Sequence, residues 1–582
     1  MQKVEPVAPG ARPIPLSLIF ATALAVHLPL LLMELPLRSY DTNFHIFFAS
    51  HYLHHWFDPW NTKWYAGFSQ TTYPPLPQQW IAVLSHITGL TMGYMMVQLA
   101  GILLLVLGVY RFSKLWVSER AASFAALATV FLGAESFLVY AAGQLPTTTA
   151  AALYLNALPF LFEWIRFGRW KAFIKGLAVF AAAAADHHAT LIFGSLLFAL
   201  PVTALAFIDR EEGERVSTSA ALFRTIFATV AVAVAVVLVL LPFWIALIHY
   251  PVTQAPIPHP SRSNYILSPL YGVNYFLVPY GAMILALPFI IFRGAAVPRL
   301  RPLLFGFWLA FLLGLGGTTP VGYYLLGRAF NVITMERFTY WASLLALPLV
   351  GLLASELVAR FRLRAAVALG AAAALTCGLA VSWSTFHPPE GALYKIDSCA
   401  QWLNRDGHDR YRYFTLGFGN QIARLAMLTD ASSVDGEWNS GRLLPELMAH
   451  GSGSLTDSKY FPDGLDALRA MLHHAGRYGI RWVLVRDHYY DPLLSFAGWR
   501  HVDTLENNTV FVWGNDSIPP ATAINAPQRP PHWQGIWWGT LPFGSSLLAL
   551  LLVLIPGEPI RAVSEFEPAE EEEPVAHGRM AS

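Results

Sequence analysis

Cysteine is nearly missing from this chain, at 2 of 582 residues, and charge is scarce, with Asp, Glu, Lys and Arg making up 13% of the total. Two cysteines, Cys377 inside an apolar run and Cys399 just beyond one, give no disulfide framework. A charged fraction of about half that of soluble domains, beside 55% hydrophobic residues and a mean hydropathy of +0.45, argues against a water-soluble globule. A net charge of +1 gives no basic surface for nucleic acid, so none is expected as a partner. Also missing are a Walker loop, a GxSxG elbow, an HExxH helix and paired CxxC motifs. Nucleotide binding, serine hydrolysis and zinc-peptidase chemistry therefore have no support.

What the chain has in abundance is long apolar runs, and a bilayer is the solvent they suit. Segments of spanning length read at about 14–34, 91–110, 121–140, 146–165, 224–248, 271–292, 302–317, 339–358, 365–384 and 535–555. The first has no small-residue cleavage site close behind it and reads as a retained anchor. Region 172–208 is too long for one helix and carries Asp186-His187-His188 at its middle. Two short helices meeting there bring the expected count to about twelve. With that count, Arg111, Lys114 and Arg120 share one side with Arg166, Arg169, Lys171 and Lys175. Arg210, Arg215 and Arg224 join them, as do Arg293, Arg299 and Arg301, and Arg360, Arg362 and Arg364. The positive-inside rule makes that side cytoplasmic, with both termini there and an inner (plasma) membrane location. The opposite face then receives 35–90, 141–146, 185–189, 249–270, 318–338 and 385–533, and with them every unusual polar cluster.

The expected fold class is thus an α-helical polytopic membrane protein with a small α/β extracytoplasmic domain. Its parts are a transmembrane domain at 1–384 with a large first loop at 35–90, the α/β domain at 385–533, a last span at 534–556 and an acidic tail at 557–582 containing PAEEEEP. In the α/β part, YRYFTLGF, IRWVLVRD and the pair HVDTLE/TVFVWG read as strands, and LDALRAMLHHAGRYG as a helix.

The loop 35–90 is dense in aspartate, histidine and aromatic residues. If FHIFFASHYLHHWF is a helix on the membrane surface, Asp41 and His45 share a face with Phe48 and Tyr52. Asp41 is a candidate general base; equally, an Asp before a helical run is a natural N-cap. Asp58, before Pro59, is a turn starter as readily as a functional group, and His51, His54 and His55 fit an interfacial aromatic belt. Asp186, His187 and His188 could ligate a divalent cation (Mg or Mn), hold a phosphate, or knit a helix junction. Arg337 suits a phosphate oxyanion, and with Glu336 it could equally tie helices together; Arg262 is a second candidate for that work. Gln144, ahead of Pro146, marks a helix start.

These residues resemble a known class. An Asp just after the first span, a loop reading YDTNFH … DPW … WYAG … TTYPPLP and polar clusters on one face are similar to the GT-C class of membrane glycosyltransferases. Within it, YDTNFH, TTYPPLP and ERFTYWASLLALPLVGLLA look most like the prokaryotic "6-pyruvoyl-tetrahydropterin synthase-related" family of multi-spanning proteins. The resemblance implies sugar transfer from a polyprenyl-phosphate-linked donor to a glycan, lipid or protein acceptor, with an acidic residue of the first loop, here Asp41, at the reaction centre. On this expectation Asp41 and His45 are catalytic, Arg337, Glu336, Arg262 and Gln144 bind the phosphate, and Tyr73 and Trp64, with Trp60 and Tyr65, stack on sugar or guide the prenyl chain. The paired D-x-D motif of many such enzymes is missing; Asp41 and Asp58 stand apart. The rival readings are a transporter or flippase of a lipid-linked solute, which needs ionisable groups at the bilayer midplane, and a non-catalytic scaffold.

Overall fold

The computed structural model describes residues 12–208, 217–249, 259–387, 395–449, 454–522 and 529–556. The acidic tail, Arg210 and Arg215 lie outside them. Among the described residues, eight helices are long and apolar enough to cross a membrane: Leu90–Ser113, Glu119–Ala142, Leu145–Phe167, His188–Ile208, Thr218–Val239, Pro269–Ala296, Glu336–Phe386 and His532–Leu554. Leu16–Leu32 is apolar but shorter. At about 1.5 Å per residue, the 51 residues of Glu336–Phe386 reach roughly twice the thickness of a hydrocarbon core. The chain leaves helical geometry once inside that run, at Arg362 (φ 48°, ψ −125°), between Arg360 and Arg364.

Region 172–208 folds as two helices, Trp170–Asp186 and His188–Ile208, parted by His187 in an extended conformation (φ −153°, ψ 106°). Small residues let the surrounding helices approach closely, as association in lipid requires. A Cβ on Gly101 would lie 2.7 Å from Thr149, and one on Gly351 would lie 2.2 Å from the Ala121 carbonyl.

Residues 396–449 and 454–522 form a four-stranded sheet flanked by helices. Its order is Arg412–Leu416, Ile480–Val485, Val510–Gly514, Arg500–Leu505; the first pair is parallel and the others antiparallel. Alternation along the strands sends Tyr413, Trp482, Leu484, Val510 and Val512 into one core with Ile396 and Leu403. Phe414, Leu416, Val483 and Val485 enter a second core, which holds Phe44, Phe47, Phe48, Trp64, Tyr65, Phe68 and Tyr73 of the first loop. Loop and sheet therefore share one hydrophobic interior.

Two expectations change here. The helix Thr42–His54 forms, but it is not an exposed helix: Thr42 to Ala49 are all buried within the protein. Phe44, Phe47 and Phe48 enter the core shared with the sheet, and Ile46 and Ala49 pack with Ile81 and Tyr94 in another. Trp64 is not a sugar platform. It is fully buried, its ring stacks on Phe47 at 4.0 Å between centroids, and a Cβ on Gly436 would lie 2.5 Å from it. A ring enclosed on both faces cannot meet a ligand. Trp64→Ala is expected to cost about 3–5 kcal/mol, read as a lowered unfolding midpoint by circular dichroism in detergent. A change below about 1 kcal/mol would show that loop and sheet do not share this core.

The last long helix closes on the same loop. Trp538 Nε1 donates to Tyr52 Oη at 3.0 Å, Gln79 Nε2 to the Trp538 carbonyl at 3.1 Å, and Trp56 Nε1 to the Gly539 carbonyl at 2.8 Å.

Candidate functional site

Asp41 occupies the N-cap position of the Thr42–His54 helix, yet its side chain makes no capping bond to that helix. Its own N–H donates to the Ala142 carbonyl at 2.9 Å, and the Tyr40 N–H donates to the Ala141 carbonyl at 3.1 Å. These carbonyls come from Leu138–Ala142, a wide helical turn ending at Gly143. Gly143 has φ +68°, and a Cβ there would sit 2.3 Å from Ser39 Oγ and 2.7 Å from Thr42 N. Only glycine fits that approach.

His45 lies one turn along from Asp41 and is buried, with Gln78 Nε2 donating to its Nδ1 at 3.0 Å. Burial, and next the nearby Arg337 cation, push its pKa down to about 3. His45 is therefore a neutral imidazole at physiological pH, with its proton on Nε2 when Gln78 donates to Nδ1. The unfolded chain takes up a proton near pH 6.5 and the folded chain does not, so this residue makes folding less favourable as pH falls from 6.5 towards 3. His45→Gln is expected to flatten the loss of thermal stability between pH 6.5 and 4.5, measured by scanning fluorimetry. An unchanged slope would remove His45 as a contributor.

Arg337 and Glu336 begin the Glu336–Phe386 helix. Gln144, at the N-cap of Leu145–Phe167, joins them: its Nε2 donates to Glu336 Oε1 at 2.8 Å, and its Oε1 accepts from Arg337 Nε at 3.1 Å. Gln144 thus starts a helix and also aims the guanidinium. The Arg337 charge acts on His45, Tyr73, His187, His188, His259 and Glu336. Tyr73 is in turn within reach of the charges of Asp41 and Asp186. Burial holds its phenol well above the ordinary range, so it stays protonated. Arg262 is further along the same wall: it is within reach of the Glu336 charge, and its Nη1 donates to the Phe330 carbonyl at 3.4 Å.

Each of the three residues at the helix break has a neighbour of its own. Asp186 Oδ1 accepts from Thr149 Oγ1 at 2.8 Å, His187 Nδ1 pairs with Thr190 Oγ1 at 2.8 Å, and the His188 ring packs on Phe243 at 5.0 Å. Among the described residues no three His, Cys, Asp or Glu side chains are placed to hold a metal ion. The divalent cation expected on this triplet therefore finds no three-ligand set there among the described residues.

Asp58 serves structure: its Oδ1 accepts from Trp60 N at 3.0 Å and its Oδ2 pairs with Arg529 at 3.2 Å. His51 hydrogen-bonds the Asp58 carbonyl at 2.7 Å. Sequence reasoning missed Gln78, Thr149, Gly143 and His259, which position the groups above or lie beside them. Only the GQLP run around Gly143 carries a local signal, a glycine just before a helix start.

No protein-family model matches the chain, and no curated protein matches it in sequence. Solved structures do match in shape. The apo form of ArnT from Cupriavidus metallidurans aligns with a TM-score of 0.53 at 14% identity, over 86% of this chain and 97% of that one. The same protein bound to undecaprenyl phosphate gives 0.52 at 12% identity, over 88% and 99%. The chain thus shares the overall fold of that protein. Arabinofuranosyltransferase AftD from Mycobacteria, as an R1389S mutant, aligns at 0.51 and 15% identity over 87% of this chain, which spans 42% of that larger protein.

Proposed function

We propose that this GT-C-fold protein is a glycosyltransferase that moves a sugar from a polyprenyl-phosphate donor to an acceptor on the extracytoplasmic face of the membrane. The observation that carries this reading is the reach of Arg337: one cation acts on His45, Tyr73, His187 and His188, and Tyr73 shares its surroundings with Asp41 and Asp186. Groups from four distant segments thus supply a base, a cation and an aromatic wall in one region, the combination such a transfer needs.

In this mechanism Asp41 takes the proton of the acceptor hydroxyl, and the oxygen bonds to the anomeric carbon. The bond from that carbon to the lipid-phosphate oxygen breaks, and its electron pair leaves with the phosphate. The product phosphate monoester carries more negative charge than the donor diester, so a fixed cation stabilises the departing group more than the ground state. Arg337, aimed by Gln144, supplies that cation, and Arg262 adds to the field. Neutral His45 hydrogen-bonds without adding charge beside Arg337, and Tyr73 packs against the sugar. Glu336 fixes Gln144.

We read twelve spans, adding Leu16–Leu32, Trp170–Asp186 and Arg301–Gly314 to the eight long helices and splitting Glu336–Phe386 at Arg362. The distribution of positive charge supports a reading with both ends in the cytoplasm and 385–533 outside the inner membrane. The short motifs YDTNFH and TTYPPLP support reading the chain as a member of the "6-pyruvoyl-tetrahydropterin synthase-related" family.

The test is a transfer assay with purified protein and radiolabelled polyprenyl-phosphate sugars, followed by release of polyprenyl phosphate. Release above the background of Asp41→Asn protein supports the proposal. No release from any hexosyl or pentosyl donor, in protein shown to bind undecaprenyl phosphate, would overturn it.

A further inference from the structure

The two peptide units that lead into Asp41 are held at both ends. Their N–H groups, on Tyr40 and Asp41, donate to the Ala141 and Ala142 carbonyls of the helix bundle. Their carbonyls, on Ser39 and Tyr40, both accept from one side chain of the sheet unit: Asn420 Nδ2 reaches them at 2.7 and 2.9 Å. About 380 residues separate these partners in sequence, and Asn420 is 3% exposed. Ser39 Oγ and Thr42 Oγ1, 2.6 Å apart, and Tyr94 Oη, 2.9 Å from Thr42 Oγ1, complete the turn.

The loop that delivers Asn420 is itself anchored. It leaves the strand Arg412–Leu416 through Gly417 (φ +78°) and Gly419 (φ +51°). Gly417 N donates to the Thr456 carbonyl at 2.7 Å and Phe418 N to Thr456 Oγ1 at 3.0 Å, while Thr415 Oγ1 meets Thr456 Oγ1 at 3.1 Å. A side chain mounted on such a loop has little freedom to follow the turn if the turn moves. The turn follows the side chain.

We propose that Asn420 is a positioning residue for Asp41, through which the sheet unit sets the direction of the Asp41 carboxylate. This rests on the catalytic assignment of Asp41 above. A carboxamide suits the task because its NH2 group carries two donors on one atom, enough for two carbonyls. Asn420→Asp replaces those donors with a carboxylate oxygen facing two carbonyl oxygens. Asn420→Ser can return one bond.

The experiment is hydrogen–deuterium exchange on the full-length protein in detergent, together with the transfer assay. In Asn420→Ala, loss of two hydrogen bonds of about 1 kcal/mol each is expected to speed exchange of the Tyr40 and Asp41 amides by roughly 10-fold or more, with the strands Arg412–Leu416 and Ile480–Val485 unchanged. Asn420→Asp is expected to exceed this and Asn420→Ser to fall between. Displacement of the base by a fraction of an ångström to one ångström is expected to lower kcat by up to about 10²-fold, with the affinity for undecaprenyl phosphate unchanged. Unchanged exchange at Tyr40 and Asp41 overturns the proposal. So does an equal loss of protection in the strands, which would make Asn420 a fold-holding residue only, and so does full kcat in Asn420→Ala. Failure of the underlying reading is seen separately, as full transfer by Asp41→Asn, whatever the exchange data show.

Discussion

Asp41→Asn is expected to abolish sugar transfer while leaving the protein folded. The exchange of one carboxylate oxygen for an NH2 group keeps size and shape but removes the ability to take a proton at neutral pH. General bases contribute about 10²–10⁴ in rate, so transfer is expected to fall by at least two orders of magnitude. The fold is expected to persist, because the turn is held through backbone groups that the substitution leaves in place, with the Asp41 N–H on the Ala142 carbonyl. The measurement is transfer rate beside unfolding midpoint in the same detergent. Full activity in Asp41→Asn would sink the assignment. Inactivity with an unfolding midpoint several degrees lower would point to a structural role instead.

Arg337→Met is expected to have the second largest effect. Removing a cation aimed at a leaving phosphate costs about 10²–10³ in kcat, by analogy with single oxyanion-stabilising donors, and it also weakens binding of undecaprenyl phosphate. Arg337→Lys is expected to recover little. Arg337 uses Nε to meet Gln144 at 3.1 Å and presents the other edge of its planar fork elsewhere. An ammonium group is a single point and cannot do both. The discriminating readout is the ratio of the two losses. A fall in undecaprenyl phosphate affinity with unchanged kcat would mean Arg337 binds ground state and transition state equally, which contradicts its proposed role at the leaving group. Wild-type kinetics in Arg337→Met would remove it from the site.

The membrane-spanning character of the chain was fully legible, because hydropathy over eighteen or more residues is a local property. The helix break at His187 was legible for the same reason: Asp186-His187-His188 interrupts an apolar run too long for one helix, and the backbone there is extended. The strands at 412–416, 480–485 and 510–514 lie within the segments read as strands, and 500–505 begins one residue before its segment, since a period of two is also local. The candidate site was legible only as a list. Asp41, Arg337 and Asp186 stood out as ionisable residues beside apolar runs, where each is costly.

What the sequence could not give was the partner of each polar or aromatic group. The aromatics of the first loop read equally well as a sugar platform or as a core. The structure makes Trp64 core, because the sheet's Phe414, Leu416, Val483 and Val485 close over the same interior. Gln144 read as a helix start until Glu336 and Arg337, some 190 residues away, came to both ends of its amide. Asn420 carried no signal beyond a glycine-rich loop.

By itself, then, the sequence determined the membrane, the helices, the sheet strands and the short set of ionisable residues worth testing. Only the tertiary structure decided which of them face one another, which are enclosed, and what holds Asp41. Burial and hydrogen bonding are properties of pairs brought together across hundreds of residues, and no local pattern encodes them.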